Sequence, residues 1–314
     1  MKVLVTGANG LVGRALCSIL EQSGLQVIRA VRTSTTHWEL PVGDLNEKTD
    51  WSVALTQGID VVVHLAGQVP LAESSIGVQA SLYYEVNTAG TANLARQCAQ
   101  HGVKRFVFVS TVKVLGEGKE EPYRDGDLAV PADDYAISKW DAEQALWQIA
   151  AETGMGVVVL RSPLVYGPGV KGNFIRLMQV IDKQVPLPLG AIQNRRSLIY
   201  LGNLVDAIRV CLTHPKAKGK TFLVSDGEDV STPGLIRRIA AALGRRPLLL
   251  PVPVSLIKRA GAFFGKKAAV DRLLGSLCFD IIPLREELGW NPPYSMQVGL
   301  ETTAQWYLKT KAAE

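Results

Sequence analysis

At 314 residues and 47% hydrophobic content, the chain is long enough to bury a full core without help from metals or cross-links. Its formal net charge of +5 arises from 34 basic residues scattered among 29 acidic ones, so no overall basic stripe points to a nucleic-acid partner. Cys17, Cys98, Cys211 and Cys278 stand far apart with no C-x-x-C pair, which argues against a zinc cluster or a disulfide framework and places the protein in a reducing, cytoplasmic setting.

Met1 runs straight into a short apolar strand, Lys2–Thr6, leaving no room for a signal h-region. No stretch approaches the roughly 20 apolar residues of a membrane span, so no membrane insertion is expected. The strand ends in Thr6-Gly7-Ala8-Asn9-Gly10-Leu11-Val12-Gly13, a G-x-x-G-x-x-G turn that opens the amphipathic helix Leu11–Ser23. Glycines let the backbone turn tightly against a pyrophosphate whose charge meets the unpaired N–H groups of the helix start. Gly7, Asn9, Gly10, Leu11, Val12 and Gly13 are therefore expected around a dinucleotide.

The second strand, Gln26–Val31, chooses between dinucleotides. An acid at its end would accept from a free ribose 2′-hydroxyl, but the sequence continues Arg32-Thr33-Ser34. Arg32 is expected to meet a 2′-phosphate, which favours NADP(H) and leaves NAD(H) open. Asp44 and Leu45 follow in Gly43-Asp44-Leu45, with Asp44 expected near the adenine amino group. A third strand, Asp60–Leu65, runs into Leu65-Ala66-Gly67, a small-residue turn expected to pass under the cofactor.

Helix Leu82–His101, strand Arg105–Ser110, helix Tyr135–Glu152 and strand Gly156–Arg161 continue the alternation, with Gly24, Gly102 and Gly154 at helix C-caps. Such a βαβ series predicts an α/β fold with a doubly wound parallel sheet. Tyr135 and Lys139 lie four apart, on one helix face. A phenol of ordinary pKa near 10 is a poor acid or base at neutral pH, but an adjacent ammonium and a cationic nicotinamide favour its phenolate. Ser110-Thr111 closes the preceding strand, where a hydroxyl can bond the same substrate oxygen.

Beyond Pro163 the regularity breaks in Gly167-Pro168-Gly169, Pro186 and Pro188. Residues 1–162 are expected to form the dinucleotide-binding domain, rejoined by a strand and helix within about 197–222. Residues 163–196 and 223–314 are expected to build a smaller substrate-binding region. Within it, Arg245 to Lys267 joins apolar runs to Arg246, Lys258, Arg259, Lys266 and Lys267. Its prolines favour a core-packed helix with solvated basic flanks over a segment lying on an anionic membrane.

Together these residues resemble the extended short-chain dehydrogenase/reductases, the NAD-dependent epimerase/dehydratase family, over essentially the whole chain. The resemblance implies a Rossmann sheet, an NAD(P)-dependent oxidoreductase, a UDP-sugar substrate and a homodimer through the Leu82–His101 and Tyr135–Glu152 helices. It implies Thr111, Tyr135 and Lys139 as catalytic residues, with Ser110 as a supporting neighbour. Asn87 and Pro163 join the cofactor set, and Arg196 and Arg272 face the substrate diphosphate. Family epimerases usually read S-S-x-x-V-Y-G after this strand, whereas here Lys113 and Leu115 intervene in Ser110-Thr111-Val112-Lys113-Val114-Leu115-Gly116. With Asn173 in Lys171-Gly172-Asn173, that departure looks more like bacterial 4-keto-6-deoxy-hexosamine reductases of surface-polysaccharide (lipopolysaccharide O-antigen) synthesis. It makes Lys113 and Asn173 substrate-binding expectations. Reduction of a UDP-linked 4-keto-6-deoxy-N-acetylhexosamine at C4 is the favoured expectation. A UDP-sugar 4-epimerase with retained NAD is the alternative, and a non-catalytic dinucleotide-binding redox sensor a remote one.

Overall fold

The computed structural model describes residues 1–70, 76–119 and 121–313. Strands β1 (Lys2–Thr6), β2 (Gln26–Val31), β3 (Glu39–Pro41), β4 (Val61–His64), β5 (Arg105–Thr111), β6 (Gly156–Ser162) and β10 (Lys220–Leu223) form one sheet. Its order is β10-β6-β5-β4-β1-β2-β3, and every pairing is parallel. The order reverses at β1, so the crevice outside the carboxyl ends of β1 and β4 is the place where such sheets bind ligands.

Both sheet faces are covered, which explains why the strands read as unbroken apolar runs. Val3 and Val5 enter one core with Val107, Val158 and Leu160, packed by α1 (Leu11–Gln22), α7 (Leu201–Thr213) and α11 (Ile282–Leu288). The alternate residues Leu4, Phe106, Phe108, Val157 and Val159 enter the other core, under α4 (Gly90–Gln100) and α5 (Asp134–Thr153). The period-two alternation of a strand thus feeds two cores.

Three elements depart from the expectations. β3 is an additional strand whose Pro41 cannot donate to a ladder, a defect tolerated because β3 is the sheet edge. The expected helix Leu82–His101 is interrupted: α3 (Ile76–Tyr83) passes through a π-helical turn, Tyr84–Ala89, before α4 begins. Ser197 does not enter the main sheet. β8 (Arg196–Ser197) pairs antiparallel with β11 (Asp229–Val230), β7 (Val165–Tyr166) pairs with β9 (Ile199–Tyr200), and β10 is the strand that adds to β6.

A third core joins α6 (Gly172–Asp182), α8 (Thr232–Ala242) and α12 (Met296–Ala313) around Tyr166, Phe174 and Met296. No helix among the described residues is long and apolar enough to cross a membrane.

Candidate active site

The glycine turn forms one wall of a cleft of about 350 Å³ at the carboxyl end of β1. Gly7 has φ +65°, and a Cβ there would lie 2.8 Å from the backbone nitrogen of Ala66. At Gly13 a Cβ would sit 2.2 Å from the carbonyl oxygen of Gly7. The sequence leaves these positions bare so that β1, the turn and α1 can close on one another. Gly10 caps α1 without a side-chain hydrogen bond, so the first N–H groups of the helix keep their capacity for an anionic ligand. A pyrophosphate fits this cradle.

The expected residues Gly7, Asn9, Gly10, Arg32, Leu45, Leu65, Ala66 and Gly67 line the cleft, joined by Thr6, Gln68 and Val86, which sequence reasoning did not single out. Leu11, Val12 and Gly13 lie behind it in the first turn of α1, and Pro163 is buried after β6. Arg32 Nε pairs with Asp44 Oδ1 at 3.0 Å, both side chains largely exposed. The cation expected at a 2′-phosphate is thus already partnered by a carboxylate.

Behind the cleft lies a buried polar relay. The Thr6 hydroxyl accepts from the N–H groups of Leu65 and Ala66 at 3.2 Å each, leaving its proton for His64 Nδ1 at 2.7 Å. The other ring nitrogen meets Thr91 Oγ1 at 2.9 Å, and the ring stacks on Phe108 at 5.7 Å. Burial and the nearby Lys139 charge push His64 down to about 3, so it is a neutral strut rather than an acid or base. The π turn aims Asn87 inward. Its Oδ1 accepts from Gln68 N–H at 2.8 Å, and its Nδ2 donates to Gln68 O and Ser138 Oγ, each at 3.0 Å. Asn87 therefore braces the floor of the cleft against α5. Such π turns recur where a helix must redirect one side chain.

Asp133 caps α5 by accepting from Ala136 N–H at 2.8 Å, which fixes the turn carrying Tyr135. Burial, then Asp133 and Tyr83, push the Tyr135 phenol up to about 12, while a hydrogen bond to the Thr111 side chain pulls it down. Thr111 at the end of β5 and Tyr135 at the start of α5 therefore lie near each other. Lys139 is 6% exposed, donates from Nζ to Val109 O at 2.9 Å and lies 4.0 Å above the Phe108 ring centre. Burial drives its ammonium down to about 7, opposed by the Glu143 carboxylate. The three expected catalytic side chains therefore gather at one sheet edge, from β5 and one face of α5.

Ser110 points elsewhere. Its hydroxyl donates to Glu143 Oε1 at 2.5 Å, and Glu143 in turn holds Arg161 at 2.8 Å, in a buried pair that ties α5 to β5 and β6. Lys113 is bound to Asp133. Leu115 is 2% exposed in a small core with Val112, Val114 and Tyr123. The two departures that favoured a reductase thus have structural explanations, capping of α5 and filling of a core. Asn173 is exposed at the start of α6. Arg196 Nη1 donates to the carbonyls of Arg272, at 2.5 Å, and Gly275, at 3.4 Å, so the structure joins these segments through backbone. The Arg272 side chain itself is exposed.

Residues 3–225 match the family model for the NAD dependent epimerase/dehydratase family. A UDP-glucose 4-epimerase from Vibrio cholerae is 44% identical over 98% of this chain and 95% of its own length. The solved UDP-glucuronic acid 4-epimerase from Bacillus cereus, in complex with NAD, superposes with a TM-score of 0.81 at 22% identity, covering 100% of this chain and 99% of that one. MoeE5, solved in complex with UDP-glucose and NAD, does so with 0.80 at 26% identity, covering 99% of this chain and 100% of that one.

Proposed function

The chain belongs to the NAD dependent epimerase/dehydratase family, and from that membership we propose that it is a UDP-sugar 4-epimerase working with retained NAD. The observation that carries this reading is the near full-length 44% identity to a UDP-glucose 4-epimerase, combined with the gathering of Thr111, Tyr135 and Lys139. The reductase expectation rested on Lys113 and Leu115, which the fold uses otherwise. The NADP(H) expectation rested on Arg32, which Asp44 engages, and the solved neighbours hold NAD.

When bound, NAD⁺ supplies a hydride acceptor for the sugar C4 and a positive charge beside the phenol. Tyr135 Oη takes the proton of the 4-hydroxyl and later returns it to the 4-oxygen. Thr111 Oγ1 holds that oxygen in line, and the Lys139 ammonium stabilises the phenolate. The cleft wall from Gly7 to Gly10 receives the pyrophosphate, Asp44 the adenine side, and Arg196 the diphosphate of the sugar nucleotide. Inversion at C4 requires the 4-keto sugar to turn its opposite face to the cofactor, while Tyr135 exchanges its proton at the same 4-oxygen in both directions. Exposed Tyr84 and Ile137, 60% and 43% accessible beside the α4–α5 pair, supply the surface for a homodimer, which sedimentation velocity can check.

Incubation with UDP-galactose alone, followed by anion-exchange separation, tests the reading. Formation of UDP-glucose without added cofactor is expected. Consumption of NADPH with a 4-keto sugar, and no interconversion, would overturn it in favour of the reductase.

A further inference from the structure

The 41 residues between Asp229 and Asp271 contain eight Lys or Arg and no Asp or Glu, in a chain that otherwise mixes its charges. At the far end of this stretch, α9 (Val254–Phe263) and α10 (Lys267–Leu274) form a helical hairpin. The two helices pack closely on each other, since a Cβ at Gly261 would lie 2.5 Å from Val270 Cγ2. Gly261 is the only residue of α9 that is buried. The core-packed helix expected from the sequence is therefore not what this segment forms.

One outward face of α9 is apolar. Leu256, Ala260 and Phe263 recur at helical spacing on one face, away from the Gly261 contact, and Leu256 is 51% and Phe263 84% exposed. Phe264, 70% exposed, continues the patch into the turn between the helices. Arg259 flanks this face, and Lys266 and Lys267 follow in the turn and the start of α10, while Lys258 lies elsewhere on α9 and Arg246 precedes the hairpin in sequence; all five are exposed and without an ion-pair partner among the described residues.

We infer that this hairpin is a docking surface for an anionic phospholipid bilayer, with the Phe263–Phe264 tip entering the boundary between headgroups and acyl chains and Arg259, Lys266 and Lys267 meeting lipid phosphates. Two observations select that occupant. The hairpin joins an exposed aromatic and aliphatic stripe to the exposed cations Arg259, Lys266 and Lys267, the combination that an anionic interface rewards on both counts. A second copy would bring this patch against itself across a two-fold axis, stacking cation on cation, which opposes association. The attachment is peripheral, because neither helix is long enough to span a bilayer.

Full-length protein sedimented with vesicles of phosphatidylcholine alone, or of phosphatidylcholine mixed equally with phosphatidylglycerol, tests this. Partition onto the mixed vesicles is expected to exceed that onto phosphatidylcholine by more than about tenfold and to fall as salt is raised. Phe263→Glu/Phe264→Glu and, separately, Lys266→Glu/Lys267→Glu are each expected to reduce it by about tenfold or more. Neither pair touches the active site, so an unchanged circular-dichroism melt shows that the fold is intact. Equal partition onto both vesicles, no partition onto either, or wild-type partition by both variants would overturn the inference. A dimer that the Phe263→Glu/Phe264→Glu variant dissolves, without vesicle binding by the wild type, would reassign the patch to self-association. Binding to single-stranded nucleic acid in preference to vesicles would reassign it to that partner.

Discussion

Replacing Tyr135 with Phe removes the only atom of that side chain able to exchange a proton with the proposed substrate. Turnover is expected to fall by roughly two to four decades, with NAD binding kept, as steady-state kinetics and cofactor titration would show. Lys139 carries a pH-dependent signature of its own. Burial lowers its folded value to about 7, so the unfolded chain holds the proton more tightly than the folded one. The buried charge therefore costs stability in full below about pH 7, and the cost is relieved as the pH rises from there toward the ordinary lysine value near 10.4. Lys139→Met is expected to raise the melting temperature of the NAD-free protein at about pH 6, by an amount corresponding to roughly 2–4 kcal/mol, with the gap closing by about pH 10. A constant gap across that range would show that folding does not lower the Lys139 value. Tyr135 and Lys139 were legible in the sequence because their relation is one helical spacing, whereas the strand end offered both Ser110 and Thr111 and only the family resemblance chose between them. The places of Lys113 and Leu115 were not, because the Asp133 partner and the core around Tyr123 are brought to them by other parts of the chain.

Among elements, the β1–α1 turn and the buried Glu143–Arg161 pair bear the most. Gly13→Ala would place a methyl 2.2 Å from the Gly7 carbonyl oxygen, forcing the turn open. NAD affinity by titration calorimetry is expected to fall by about a hundredfold, the equivalent of roughly 2.7 kcal/mol. Unchanged affinity would mean that the dinucleotide does not rest on this turn. Glu143 is fully buried and holds both Arg161 and Ser110. Glu143→Ala leaves the guanidinium uncompensated, and chemical denaturation is expected to show a loss of about 3–5 kcal/mol. The sheet strands and their covering helices could be read from apolar runs and capping glycines, since burial on both faces leaves a direct mark on composition. The π turn at Tyr84–Ala89 could not, because neither apolar spacing nor a capping residue marks the one-residue shift that turns Asn87 inward.

Across the whole molecule, the second part of the chain is pinned by a few buried acids. Asp182 is 1% exposed and accepts from Arg245 at 3.0 Å, Tyr307 at 3.2 Å and Lys311 at 2.5 Å, tying α12 to α6. The Lys311 hydrogen bond leads in holding its carboxyl below the usual range. The folded value being depressed, this stabilisation is present above the unfolded carboxylate value near 3.9 and is lost as the pH falls through the folded one. Asp182→Asn is expected to lower the melting temperature at neutral pH and to match the wild type in acid; an equal deficit at both would place the effect in packing instead of charge. This arrangement was hidden in the sequence, since Asp182 and Lys311 stand 129 residues apart and share no motif. The central claim, that one Tyr135-centred site inverts C4 of a UDP-sugar without net oxidation, is tested most directly with UDP-glucose carrying deuterium at C4. Supplied to the purified protein in ordinary water with no added cofactor, it is expected to give UDP-galactose that keeps the deuterium at C4 by mass spectrometry and proton NMR. Loss of the label to solvent, or recovery of UDP-glucose unchanged while a 4-keto sugar is reduced at the expense of NADPH, would contradict it.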